Sequence, residues 1–274
     1  MLKKNCGGGF ICKGLCWRIV MDYNELVFVG TEIGRLLVKY GAEIYRAEES
    51  MHLLFHAYGV EKSHIFALTT CINVTVCRPD GVPITRICRV DDRCIDLGKI
   101  DRLNSLCRRA CKQCPPISKL RSEIGSIEHD IGNSKSLKAL GFTGVAFAFT
   151  LFYGGNAADA VVSGLTGVLV FWIQDFFQRY RANSFFSTIL ESAVIGLVCF
   201  VAAHFDPYLN ADRMIIGSVM NLVPGIAITS FMRDILSADY LSGMLRFVES
   251  LLVAMAIALG VGAAMIFTRT LWGV

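Results

Sequence analysis

Charge is sparse in this sequence. Only 18% of the 274 residues are Asp, Glu, Lys or Arg, while 54% are hydrophobic. Soluble chains run at about a quarter charged, and here the mean hydropathy is +0.51. That balance argues against a purely soluble enzyme and excludes disorder and collagen-like repeats. No secretory leader is expected, because Lys13 and Arg18 interrupt what should be an unbroken apolar core. The polar half lacks a paired nucleophile and base, and it lacks a phosphate-binding loop. Aromatics interleaved with basic residues are missing too, which disfavours a nucleic-acid surface. No cofactor or metal is called for.

What charge there is lies in one half. Residues 1–136 hold 20 Lys+Arg and 15 Asp+Glu (net +5), and residues 137–274 hold 7 and 8 (net −1). The expected architecture is a membrane protein, with an N-terminal cytoplasmic α+β domain followed by a five-helix transmembrane bundle. The boundaries read as a disordered Gly/Cys-rich tail over 1–20, with Met21 a plausible alternative start, a head over 21–134 and a membrane block over 135–274. Ten of the eleven cysteines precede the block. The odd total argues against a disulfide framework, and a cytoplasmic head keeps them as thiols.

A span needs roughly 20 apolar residues to cross about 30 Å of hydrocarbon. Five segments qualify, near 137–154, 157–173, 185–204, 213–232 and 245–267. Lys135, Lys138, Arg179, Arg181, Arg233 and Arg246 fall on one side of them. Asp206 and Asp212 fall on the other, and only Arg269 dissents. Basic loops stay inside, so the N-terminus is expected in the cytoplasm and the C-terminus outside. Small residues recur at helix-packing spacing: Gly141 with Gly144, Ser163 and Gly164 with Gly167, and Gly260 with Gly262. They pack this bundle or face a partner subunit.

Ionisable groups in hydrocarbon are costly and tend to be functional. Asp159 opens the second span and either complements the helix dipole or titrates. Glu191 lies inside the third, where it can titrate or pair with Arg246. In the fourth, Asn221, Pro224 and Gly225 form a break, since proline removes an N–H and clashes one turn back. Such a break is either a plain kink or a transporter's substrate station. Thr229 and Ser230 offer hydroxyls on the next turn. Asp234, Asp239, Arg246 and Glu249 cluster at the last junction. Arg246 and Glu249 share a helix face, either as a structural network or with Arg246 as the fork for a substrate carboxylate.

In the head, helices are expected over 22–40, 42–58, 93–113 and 117–131. Strands are expected over 63–68, 72–78 and 83–90, with a hairpin turn at Arg78 to Pro83. Glu43 and Arg46 have ion-pair spacing, either as a solvated bridge or as a contact to the membrane block or substrate. Cys107, Cys111 and Cys114 mimic a cluster motif but fall at i, i+4 and i+7 of an amphipathic helix, a buried-face pattern. The basic face from Arg102 to Arg121 suits anionic headgroups.

Three stretches carry a resemblance: GAEIYRAE (Gly41 to Glu48), YGGNAAD (Tyr153 to Asp159) and MNLVPGIAITSFMRDILSADYLSGMLRFVE (Met220 to Glu249). Over residues 22–267 the chain resembles the threonine/serine exporter family, most closely a YjjP-type subunit of its split form. The resemblance implies export of threonine, serine or dicarboxylates such as succinate by a plasma-membrane antiporter. It implies a small hydrophobic YjjB-type membrane partner or a homo-oligomer. Motif positions carried over are Glu43, Arg46, Asp159, Asn221, Pro224, Gly225, Asp234, Gly243, Arg246 and Glu249. Ser230 stands where the family pattern has asparagine, and Ala238 where glycine is usual. The expected function is a proton-coupled exporter in which the broken fourth span and Arg246 contact substrate and Asp159, Asp234 or Glu249 titrates. The competing reading is a membrane-anchored sensor or enzyme whose head carries the activity.

Overall fold

The computed structural model describes residues 22–272 apart from Asp92, Ile131, Asn133 and Arg181. The expectations for the 1–20 tail and the Met21 start lie outside these residues. The chain divides into two compact units. One comprises residues up to Ala42 with Arg46–Glu128, and the other comprises Glu43–Tyr45 with His129 onwards.

In the first unit, α1 (Tyr23–Lys39) begins where the Asp22 carboxylate accepts the Asn24 N–H at 2.8 Å. Its buried stripe includes Leu26, Val29, Ile33, Leu36 and Leu37, the i, i+3, i+4, i+7 pattern of a core-facing helix. Gly41 reverses the chain at φ +91° and leads into α2 (Ile44–Ala57). The two helices touch so closely that a Cβ on Gly34 would overlap Met51. A three-stranded antiparallel meander follows: β1 (Lys62–Ala67), β2 (Cys71–Cys77) and β3 (Pro83–Arg89). Register aligns Ile65, Val74 and Arg86, and Ile72, Val74 and Val76 are fully buried. The expected hairpin is closed by Arg78 N–H to Val82 O at 3.0 Å and Gly81 N–H to Arg78 O at 2.9 Å.

Helix α3 (Leu97–Gln113) starts four residues later than the sequence pattern suggests, because Asp96 caps it by accepting the Lys99 N–H at 3.0 Å. Helix α4 (Ile117–Glu128) follows Pro115-Pro116. Glu128 ties α4 to α1 through Arg35 at 2.9 Å and Lys39 at 3.3 Å.

The second unit is helical: α5 (Lys135–Phe152), α6 (Ala157–Arg179), α7 (Ser184–Phe205), α8 (Ala211–Val219), α9 (Gly225–Leu236) and α10 (Tyr240–Trp272). Among the described residues three of these are long and apolar enough to cross a membrane: α6, α7 and α10, with mean hydropathies of 1.6, 2.1 and 2.4. Five spans were expected. Lys135 and Lys138 in its first turn keep α5 from matching the other three, and the fourth segment is divided between α8 and α9. Large apolar side chains point outward, among them Leu165 (67% exposed) and Ile266 (69%), as lipid-facing surfaces do.

The small residues divide sharply. A Cβ on Gly167 would meet the Phe142 carbonyl oxygen at 2.6 Å, and one on Gly260 would overlap Ser192 and the Ile189 carbonyl. These are close helix contacts. Gly141, Gly144 and Gly262 have no atom within 4 Å of an added Cβ, so they do not pack this bundle.

Candidate functional site in the helical unit

Two groups of polar side chains are buried among these helices. At one end, Asn156 caps α6 and forms a capping box with Asp159. Asp159 is 1% exposed. Its Oδ2 accepts the Asn156 N–H at 2.9 Å, and its Oδ1 accepts the Asn210 N–H at 2.8 Å. Asn156 in turn donates to the Tyr208 carbonyl at 3.0 Å, and the Arg213 guanidinium donates to the Gly154 carbonyl. Asp159 therefore complements the helix start and also clamps the 154–156 turn to the 206–210 turn. Both oxygens are engaged by main-chain donors.

At the other end the helix break is real. Helix α8 stops at Val219, and the chain turns through Met220 to Pro224 before α9 resumes at Gly225. Gly225 N–H reaches Val223 O at 2.8 Å over a Pro224 with φ −80° and ψ 61°, an inverse γ-turn. The break starts ahead of the proline because its ring excludes the carbonyl one turn back and restricts the preceding residue. Asn221 anchors the loop by donating to the Phe142 carbonyl at 3.1 Å. No side chain caps the start of α9.

Below the break, α9 and α10 run antiparallel, and each turns polar residues inward: Ser230 and Asp234 from α9, and Ser242, Arg246 and Ser250 from α10. The i, i+4 spacing on both helices makes two facing stripes. Gly243 allows the approach, since a Cβ there would sit 2.7 Å from Ile235. Arg246 Nε lies 3.4 Å from Asp234 Oδ2, with the side chains 9% and 1% exposed. Among the described residues, neither Asp234 oxygen has a hydrogen-bond partner, and neither does the buried Ser242 hydroxyl. Buried polar atoms are nearly always satisfied, so this seam holds polar atoms that no hydrogen bond engages.

The remaining motif residues lie elsewhere. Glu249 is exposed on α10 while Arg246, on the same helix, is buried. Glu43 precedes the first residue of α2 and pairs with Arg233; Arg46 is exposed. Glu191 does not meet Arg246, which faces Asp234. In the head, Glu48 accepts the Ala67 N–H at 2.7 Å, tying α2 to β1. Cys107 is buried, and that burial pushes its thiol up to about 12, with a smaller push from Cys111. Cys111 is half-buried, and Cys114 ends α3 in the left-handed region at φ 42°. These are packing thiols of ordinary kind. Among the described residues no His, Cys, Asp or Glu group is arranged to hold a metal. Sequence reasoning overlooked Ser242, whose signal was its position one turn before Arg246.

Three helices long and apolar enough to cross a membrane, packed with a helix pair broken at Pro224 and a buried ion pair, are features of a membrane protein. A family model described as "Putative threonine/serine exporter" (ThrE) matches residues 29–268, nearly the whole chain, and the protein belongs to that family. No curated protein and no solved structure matches the chain. The family is one of transporters.

Proposed function

We propose that the protein exports threonine, serine or small dicarboxylates such as succinate across the plasma membrane. Uptake of protons drives this export, and a small YjjB-type membrane subunit assists it. In this reading α5, α6, α7, the α8–α9 pair and α10 are five passes, with the first unit in the cytoplasm. The basic residues near 135–138, 179–181 and 233–246 support that orientation against the acidic 206–212 turn.

The observation that carries the proposal is the Asp234–Arg246 pair. It is buried beside a broken helix, its partners stand 3.4 Å apart, and both carboxylate oxygens lack hydrogen bonds. A purely structural buried pair leaves few such vacancies, because desolvation outweighs attraction unless the remaining lone pairs are satisfied. A substrate carboxylate fits the guanidinium fork, and the unwound 220–224 segment leaves main-chain groups for a ligand. Asn221, Gly225 and Glu249 belong with Asp234 and Arg246 to the proposed substrate site, Asp159 holds the turns of the helical unit together, and Glu43 and Arg46 form a cytoplasmic motif.

Efflux from cells preloaded with labelled threonine and labelled succinate tests the reading. Arg246→Lys keeps the charge but loses the fork, and efflux is expected to fall about tenfold or more, equivalent to about 1.4 kcal/mol. Pro224→Ala is expected to slow it as well. A head-borne sensor or enzyme on an inert anchor tolerates both changes. Unchanged efflux of both compounds after deletion of the gene and its partner overturns the proposal.

A further inference from the structure

Among the buried acids of the helical unit, Glu191 has no part in the arrangement above. It lies seven residues into α7, about 10 Å along the helix at 1.5 Å per residue, and is 3% exposed. No described residue hydrogen-bonds to its carboxyl group or pairs with it. An uncompensated charge in such a place is costly.

The surroundings of Glu191 are selective. On the same face, the Ser187 hydroxyl donates to Asn183 O at 3.2 Å and Thr188 donates to Ser184 O at 2.9 Å. The adjacent Ser192 hydroxyl donates to Ile189 O at 3.0 Å, with Ala256 O at 3.4 Å. A hydroxyl has one proton and two lone pairs. Each of these donates its proton to a main-chain carbonyl, so none of the three donates to the Glu191 carboxyl. That environment matches a carboxylic acid carrying its proton.

Nor does any packed helix bring a charge to its level. Gly196 meets Val261 and Ala264 of α10, and Gly260 meets Ser192. The two helices therefore run parallel, with Glu191 level with residues near 255–260. From Ser250 to Thr268, α10 has no titratable residue, and neither has α6 from Ala160 to Gln174. The acids of α6 lie at its ends: Asp159 is held by main-chain donors, and Asp175 by Lys135 and Arg179. Asp212 and Arg213 of α8 occupy its exposed first turn. On α7 itself, Cys199 is a buried thiol two turns on, and His204 stacks on Trp272 at the far end.

We infer that Glu191 is the proton-binding acid of the exporter, loaded when α7 faces one aqueous side and emptied when it faces the other. The inference rests on the exporter reading above. It assigns coupling to α7 and leaves substrate contact to the α9–α10 seam.

The test uses membrane vesicles from cells that make the full chain natively, with substitutions introduced in the chromosome. Two fluxes of labelled threonine are measured: efflux driven by a pH gradient, and exchange at equal pH. Glu191→Gln is expected to lose the gradient-driven flux about tenfold or more and to keep exchange, while Glu191→Asp retains part of both. Dicyclohexylcarbodiimide, which modifies protonated carboxyls in apolar surroundings, is expected to label Glu191 in the unaltered protein, less so as pH rises. Gradient-driven flux that survives Glu191→Gln overturns the inference. So does loss of exchange together with drive, or the absence of label from Glu191. If the unaltered protein exchanges no threonine, the exporter reading itself fails.

Discussion

Replacing Ala238 by glycine should make the protein more stable. The α9–α10 corner is a complete Schellman closure. Ala238 N–H bonds Ile235 O at 3.1 Å, and Asp239 N–H bonds Asp234 O at 2.9 Å, the paired pattern that ends a helix around a left-handed residue. That residue is Ala238, at φ 65°, at the position where the family pattern has glycine. Left-handed backbone costs an L-residue roughly 1–2 kcal/mol. The freer unfolded chain of glycine returns about 0.4–1 kcal/mol of that. Because Ala238 is exposed, no packing is lost, and the net gain is about 0.5–1 kcal/mol. In thermal unfolding of the detergent-solubilised chain, followed by tryptophan fluorescence, this corresponds to a rise of about 2–4 °C. Ala238→Val should move the midpoint the other way, because a β-branched residue tolerates positive φ least. A Gly variant that melts at or below the parent temperature refutes the argument, and with it the claim that this corner is strained.

Two further outcomes follow from packing and capping. Gly260→Ala should destabilise by about 1–3 kcal/mol, since its new methyl would press on Ser192 and on main-chain atoms of α7. Gly262→Ala, two residues on in open space, should be neutral or gain about 0.5–1 kcal/mol; equal melting shifts for the two would refute the α7–α10 contact. Asp159→Ala strips acceptors from the Asn156 and Asn210 main-chain donors and should cost about 2–4 kcal/mol. Asp159→Asn, which keeps one oxygen, should cost roughly half as much, and an Ala variant that melts like the parent would remove the clamp from the account.

The sequence revealed local features best. The Arg78–Pro83 turn, the strand alternation and the Cys107 face come from period and turn chemistry, and the structure places their boundaries within a residue or two. Pro224 marked the break because its cause is covalent. Other features depended on atoms distant along the chain. Asp159 meets the N–H of Asn210 at a separation of 51 residues, and main-chain donors carry no sequence signature. Glu43 meets Arg233 at a separation of 190 residues, a contact that no local spacing announces. Gly141 and Gly144 had the spacing of a packed seam, but spacing does not say which face of α5 meets α6. The α9–α10 seam was half legible: Asp234 and Arg246 stood out as charges, whereas Ser242 needed a view of what it faces.

Helix α10 is a single rod of 33 residues, about 50 Å long at 1.5 Å per residue. Near its start Arg246 reaches Asp234, and near its end Trp272 stacks on His204 with ring centres 4.3 Å apart. An unbroken helix has no joint at which to absorb a tilt. In the five-pass reading proposed above, a tilt at the arginine end is therefore carried to the tryptophan end, and one beam couples the two faces of the bilayer.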